Sequence, residues 1–457
     1  MSLVLGVDSS TQATKVEVRD AESGELVASG RAPHPAVHPP RSEQDPQAWW
    51  DALVQARSGL PAVAAVAVAG QQHGLVVLDA DGAVVRPAKL WNDTESAPDA
   101  AWLRSQLGDA AWADACGSVP VAAFTITKLS WLHRSEPDAW ARLARVCLPH
   151  DWLTWKLTGE FVTDRGDASG TGYFSAAAGA YRHDLLAVVD RDTDWASRLP
   201  RVAAPFEVVG EAGGVLVAPG TGDNMAAALG LALAPGDVVV SVGTSGTVYA
   251  VSNTATADPT GAVAGFADAT GRFLPLVCTL NATKVTDAVA RLTGTDHRGL
   301  DSLALGAEPG AGGLTFVPYL DGERTPDRPD ATGTLSGMRS GVTREQFARA
   351  AFEGVVCGLL DGLDALAAVG VGAAGRMFLV GGGSRSAAYR TVLATLAGRP
   401  VIVPGDDEHV ARGACAQAAA ALLGAPPAWE PAVATVTDPD PSADAQEIRA
   451  RYRAARG

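Results

Sequence analysis

Cysteine is scarce and unpaired in this chain. The five cysteines (Cys116, Cys147, Cys278, Cys357 and Cys415) are scattered, and no two stand in a C-x-x-C pair. That excludes a disulfide framework or a zinc site as the organising chemistry and leaves buried, reduced thiols as the expectation. Charge is also thin, at 19% of residues, and positive charge thinner still: 36 Lys and Arg face 51 Asp and Glu, a formal charge of −15. Such a chain repels nucleic acid and anionic membrane, so neither is expected as a partner. An anionic ligand would have to be held by local devices instead: backbone N–H groups, helix N-termini and a divalent cation. Long hydrophobic runs are missing too. The apolar stretches 62–69 and 414–424 fall far short of a membrane span. The opening MSLVLGVDSS has neither the basic start nor the long apolar run of a secretion signal, so a cytoplasmic location is expected.

What is abundant is apolar and small: 47% hydrophobic residues and 50 glycines in 457 residues. That is too much chain for one ordinary core, and two or three domains are expected. LVLGV at 3–7 is a short apolar run that stops at Asp8, the pattern of a buried strand ending in a polar loop. Further strands are read at 14–18, 26–30 and 63–69, with a helix over 46–57 and a hairpin around 79–82. The plan returns in the second half. VVVSV at 238–242 runs into Gly243-Thr244-Ser245-Gly246-Thr247 and leaves as a strand, just as LVLGV runs into Asp8-Ser9-Ser10-Thr11. Both are strand, small-hydroxyl turn, strand, and we read them as a distant internal duplication. A long helix over 343–369, strands at 377–380 and 400–403, and helices over 386–397 and 409–423 complete a β–α alternation. The domain boundary is placed at 234/235, giving a domain of 1–234 and another of 235–457; residues 425–442 are expected to be irregular.

Several loops carry candidate chemistry. In Asp8-Ser9-Ser10-Thr11, Asp8 suits a metal or its waters, and Ser10 and Thr11 suit phosphate, with Lys15 in reach as a point charge; a plain polar hairpin explains the segment about as well. Gly243 and Thr244 lie in a turn with two glycines and three hydroxyls, which favours close approach of phosphate oxygens to the backbone. Gly381, Gly382 and Ser384 sit between a buried strand and a helix, where a flat ligand such as adenosine can lie against the main chain. The spacing does not fit a dinucleotide fingerprint; a tight turn with Ser384 or Ser386 as helix cap is the bland alternative. Asp223 precedes an apolar helical run and suits a general base, or merely a cap. Gln72 and His73, with Trp91, offer the paired donors, acceptors and apolar face that a polyol needs, although a satisfied structural histidine is equally common at a strand end.

Taken together, GVDSSTQATK, SEQDPQAWW, AGQQHG, LWNDT, GTGDNMA, SVGTSGTV, FVPYLDGERTP and FLVGGGSRS occur in order along nearly the whole chain. In them the chain resembles the FGGY carbohydrate kinases, and among these the xylulokinase branch. The resemblance implies an α/β fold of two actin-like ATPase (ribonuclease H-like) domains with an interdomain cleft. It implies sugar and base in the first domain, nucleotide in the second, ATP and Mg²⁺ as cofactors, D-xylulose as substrate and a homodimer as a common assembly. By the same match Asp223 is the catalytic base and Asp8 the metal-associated aspartate, with Asp223 beside it. Gln72, His73, Trp91 and Asn224 fall on the sugar; Ser10, Thr11, Lys15, Gly243 and Thr244 fall on phosphate; Gly381, Gly382 and Ser384 fall on adenosine. Ser10 departs from the glycine usual in the first phosphate loop, and Gln72-His73 stands where glycerol kinases carry Arg-Glu. Alternatives are another ketopentose or polyol such as L-ribulose, and a non-catalytic sugar sensor.

Overall fold

The computed structural model describes residues 2–405 and 408–457. Contacts divide it into two compact units: Met1–Leu233 with Asn253–Leu274 and Glu408–Pro431, and Ala234–Ser252 with Pro275–Asp407 and Ala432–Gly457. Two stretches of the second half thus pack with the first unit, which one cut at 234/235 does not capture.

The first unit is built on a twisted mixed sheet. In spatial order its strands are Gly210–Ala212, Val215–Val217, Ala65–Gly70, Leu3–Ser9, Ala13–Asp20 and Leu26–Pro33. Leu3–Ser9 is antiparallel to Ala13–Asp20, with Asp8 opposite Lys15, and parallel to Ala65–Gly70, with Ser9 opposite Gly70. A short strand, Thr221–Gly222, continues beside Ala65–Gly70, placing Thr221 opposite Ala69 and Gly222 opposite Gly70. Strands buried on both faces read as near-continuous apolar runs, which is why 3–7 and 65–69 are so uniformly aliphatic. The helix Pro46–Arg57 is capped by Asp45, whose side chain accepts from the Gln47 N–H, and it buries Trp49 and Leu53 on one face of the sheet.

The other face is covered by the alanine-rich helix His409–Leu423. Small residues let it come almost to backbone contact with its neighbours. A Cβ on Gly413 would lie 1.7 Å from the Ala226 carbonyl oxygen, and one on Gly6 would lie 2.1 Å from that of Ala411. Backbones that close tolerate no side chain at those positions.

In the second unit, Val238–Val242 is antiparallel to Gly246–Ala250 and parallel to Met377–Val380. Gly246–Ala250 continues to Phe273–Thr279, and Met377–Val380 to Val401–Pro404. The edge strand is Val433–Thr437, antiparallel to Val401–Pro404. This corrects the expectation of an irregular 425–442: an edge strand lined by exposed residues carries no apolar alternation to betray it. The long helix is Arg344–Ala368, opened by a reciprocal capping box between Thr343 and Gln346. Both units repeat an antiparallel strand pair extended by a parallel strand, the two-domain α/β arrangement expected from the duplicated loops.

Candidate active site

Three parallel strands of the first unit end side by side, and each delivers a polar loop from its carboxyl end. Leu3–Ser9 delivers Asp8 to Thr11, Ala65–Gly70 delivers Gln71 to His73, and Thr221–Gly222 delivers Asp223 and Asn224. The carboxyl edge of parallel strands is where open α/β sheets bind ligands. The helix Asp223–Gly230 begins at Asp223, with Gly222 as its cap and no side-chain capping bond. Helix capping therefore does not account for this aspartate. Its Oδ1 instead accepts from the Asn224 N–H at 2.8 Å and from Asn224 Nδ2 at 3.1 Å. Asn224 Nδ2 also donates to Gln72 Oε1 at 2.6 Å, joining base and sugar candidates directly. Loss of water around the Asp223 carboxyl, then the nearby Asp8 and Asp167 charges, push its pKa up to about 7.

His73 is held unusually firmly. Its backbone is left-handed (φ 66°), a conformation that a non-glycine residue keeps only when its surroundings impose it. Its carbonyl accepts from Thr125 Oγ1 at 3.2 Å, and its backbone faces Asp167, whose charged form it favours. The imidazole lies between Phe124 and Phe266, at centroid distances of 5.1 and 5.5 Å. Lys128, itself fully buried, donates to the carbonyls of Ala122, Ala123 and Phe124 and so braces the loop that carries Phe124.

The first phosphate-loop candidates are engaged locally. The Ser10 hydroxyl donates to the Ala13 carbonyl within its own turn. Thr11 Oγ1 donates to Gln71 Oε1 and accepts from Trp91 Nε1, both at 3.0 Å, so Thr11 and Trp91 lean on each other. Lys15 Nζ pairs with Glu408 at 2.6 Å and lies 3.6 Å from Asp8. Burial, against the opposing pull of Lys15, raises the Asp8 pKa to about 6. Asp8 Oδ1 is buried without a hydrogen-bond partner. With the Asp223 carboxyl near enough to feel its charge, the pair suits a divalent cation. A second acidic set, Glu43, Asp93 and Glu95, brings carboxylate oxygens within 4.8 Å of one another. Lys89 Nζ sits among them at 3.1, 3.0 and 2.6 Å, so an ammonium already supplies the counter-charge there. Trp49 is core and anchors Gln44 through its Nε1.

In the second unit, Gly381 (φ 82°) lies so close to Val242 that a Cβ would meet the Val242 carbonyl oxygen at 2.8 Å. Gly383 is equally constrained, by Val242 Cγ1 at 2.4 Å, whereas Gly382 faces open space. The two glycine loops therefore touch, since Val242 leads straight into Gly243 and Thr244. Ser386, not Ser384, caps the helix Ala387–Ala397; the Ser384 side chain is buried in the turn. Beside this turn opens a cavity of about 520 Å³ lined by Gly382, Gly383, Ser386, Asp301, Phe352 and Tyr389 among others, large enough for a purine nucleoside. Glu323, in the long FVPYLDGERTP segment, accepts from the Leu280 N–H and Asn281 Nδ2 and braces the entry to the helix Thr283–Thr293.

Sequence reasoning missed Phe124, Gly170, Phe266 and the charged side chains behind the site. Their one local signal is TDRGD at 163–167, where Asp164 caps a helical turn by accepting from the Gly166 and Asp167 N–H groups.

Comparison with known proteins agrees with this arrangement. Residues 3–230 match the N-terminal domain of the FGGY family of carbohydrate kinases, and residues 238–422 its C-terminal domain. A xylulose kinase of Streptomyces coelicolor is 49% identical over 455 residues, covering 95% of this chain and 92% of that protein. One from Streptomyces rubiginosus is 48% identical with the same coverage. The crystal structure of xylulose kinase from Bifidobacterium adolescentis superposes with a TM-score of 0.92 at 43% identity, covering 100% of this chain and 99% of that one. With both family domains matched in order and the loops of each at the carboxyl ends of its strands, this chain belongs to the FGGY family of carbohydrate kinases.

Proposed function

We propose that this protein is an ATP-dependent kinase that phosphorylates D-xylulose at its primary 5-hydroxyl. The reading is carried by the convergence of Asp8, the Gln72–His73 loop and the Asp223–Asn224 pair at one sheet edge. It is supported by the activity for which the relatives at 49% and 43% identity are named. Asp223 accepts the hydroxyl proton as the sugar oxygen bonds to the γ-phosphorus and the bond to the β,γ-bridging oxygen breaks, releasing ADP. Burial and the neighbouring Asp8 and Asp167 carboxylates make Asp223 a stronger base than an exposed aspartate. Gln72, His73 and Asn224 hold the sugar, and Trp91 offers it an apolar face. In the second unit Gly243 and Thr244 bind phosphates, and Gly381, Gly382 and Ser384 seat the adenosine. On the first unit's side, Ser10, Thr11 and Lys15 complete the phosphate contacts. Asp8 and Asp223 are the residues fitted to hold Mg²⁺, which supplies positive charge to the transferring phosphoryl group.

We assign sugar and base to the first domain and nucleotide to the second, with the sequence boundary at 234/235. A cytoplasmic homodimer is the setting we propose. No helix among the described residues is long and apolar enough to cross a membrane. The test is sugar-dependent ADP release with D-xylulose, L-ribulose, D-ribulose and glycerol side by side. A buried polar group left unpaired costs roughly 1–3 kcal/mol, so D-xylulose should lead the others about tenfold in kcat/KM. A tenfold preference for another of the four would overturn xylulose as the substrate. No release with any sugar would favour a non-catalytic sensor.

A further inference from the structure

Behind the sugar loops lies a fully buried side chain that takes no part in the phosphoryl transfer, His150, near the start of the helix Pro149–Thr158. Its Nδ1 is 2.8 Å from Asp167 Oδ2. Its Nε2 is 3.1 Å from Asp151 Oδ1 and 3.7 Å from Asp164 Oδ1. One imidazole thus faces three buried carboxylates, with the Tyr173 and Tyr181 hydroxyls and the Cys147 thiol as the other titratable groups around them. Burying charges costs several kcal/mol per ion, and a cluster like this persists only where the groups pair.

The carboxylates reach outward to both halves of the sugar site. The turn that begins at Asp167, closed by the Gly170 N–H donating to the Asp167 carbonyl at 3.0 Å, packs on His73, the residue held in the left-handed conformation. A Cβ on Gly170 would lie 2.3 Å from the His73 ring, and the His73 backbone favours the charged form of the Asp167 carboxyl. Asp164 Oδ2 accepts from Thr221 Oγ1 at 2.7 Å, two residues before Asp223. His150 is also packed against the glycines from which the two loops spring. A Cβ on Gly70 would lie 3.0 Å from His150 Cβ, and one on Gly220 would lie 2.7 Å from His150 Cδ2. Gly220 is also fixed from its other side by Gln417, which accepts from its N–H and donates to its carbonyl at 3.0 Å each.

We propose that His150, through Asp164 and Asp167, is a positioning residue that sets the register between the His73 loop and the Asp223 loop. It touches neither substrate nor phosphate. It fixes one polar core from which both the sugar reader and the base are suspended, so that they move only together. Burial alone would hold the imidazole neutral, but Asp151, Asp167 and Asp164 outweigh it and raise its pKa to about 9, so it stays a cation at neutral pH. This role rests on the reading of Asp223 as base and His73 as sugar contact.

The cleanest cut is Thr221→Val, which removes only the hydroxyl linking Asp164 to the Asp223 strand and leaves every buried charge in place. Thr221→Ser keeps that hydroxyl and serves as the rescue. Displacement of a base by a fraction of an ångström to one ångström costs up to about a hundredfold, and we expect Thr221→Val to lower kcat about tenfold. The KM for ATP should stay within about twofold, and Thr221→Ser should restore kcat to within about threefold of wild type. His150→Gln, measured alongside, should lower kcat at least as much as Thr221→Val. Should it fail to fold, the Thr221 pair decides. A kcat for Thr221→Val within about threefold of wild type, or an equal loss in Thr221→Ser, would reduce the network to a structural filler. If wild type itself releases no ADP with D-xylulose, the functional reading fails, not the positioning one. The positioning proposal is then read from His73 in NMR spectra, where Thr221→Val and His150→Gln must both shift the imidazole resonances, and unmoved resonances overturn it.

Discussion

Loops are kept in place by opposite means in the two units. In the second, the Gly243 and Gly381–Gly383 turns meet because residues there lack side chains, so that main chain lies against Val242. In the first, the Gln71–His73 and Thr221–Asn224 loops are tied by buried charge, His150 among Asp151, Asp164 and Asp167, and Lys128 on three carbonyls braces the loop whose Phe124 packs on His73. The difference fits the ligands we propose for each. A polyphosphate is recognised by N–H groups, which any sequence supplies once glycine lets the backbone approach. A neutral sugar is told from its epimers only by side chains fixed at set angles, and fixing them takes a second tier of polar groups. Substitutions in each unit should therefore injure chiefly that unit's own ligand.

The largest break is at the base. Asp223→Ala should cut kcat by about 10²–10⁴ while the KM for ATP changes little. Steady-state ADP release checks it, and a variant keeping more than about a third of wild-type kcat would return Asp223 to a structural role. A matched pair of glycine substitutions sharpens the contrast. Gly381→Ala forces a Cβ to 2.8 Å from the Val242 oxygen at φ 82° and should raise the KM for ATP about tenfold, sparing that for sugar. Gly170→Ala brings a Cβ to 2.3 Å from the His73 imidazole, which Phe124 and Phe266 prevent from retreating. It should raise the KM for D-xylulose about tenfold and spare that for ATP. Equal effects on both substrates in either variant would erase the division.

The smallest effect concerns pH. His150 titrates in the fold near 9 rather than at its ordinary 6.5, so the folded state binds more protons than the unfolded chain between those values. The stability it contributes is complete below about 6.5 and is lost as pH rises through 9. Asp151, raised from 3.8 to about 7, pulls the same way over the lower interval. Lys128, whose pKa burial lowers from 10.5 to about 7, pulls the opposite way above pH 7. The His150 contribution is therefore read as a difference: the melting temperatures of wild type and His150→Gln should converge as pH rises from 6.5 to 9. A gap between wild type and variant that widens across this interval would contradict a cationic His150.

The strands ending at Asp8, Gly70 and Val242 and the helix Pro46–Arg57 were legible because an apolar run stopped by glycine or a polar turn is a local pattern. So were the glycine loops. His150, Asp164 and Asp167 were not. Each looks like an ordinary helix-start residue, and only the fold brings them to Gly70 and Thr221. Phe266 was missed for a related reason: it lies in the second half of the sequence but packs in the first unit against His73.

That crossing of the chain bears on how the protein is made. The helix His409–Leu423 seals the alanine face formed by Val4, Ala65, Ala67, Ala69 and Ala218, yet it leaves the ribosome only after most of the second unit has been synthesised. Domains tend to mature in the order they emerge, but here the unit begun first stays incomplete until most of the second has been made. During translation an apolar sheet face waits uncovered, which makes elongation through the second unit the interval in which a nascent chain most needs a chaperone.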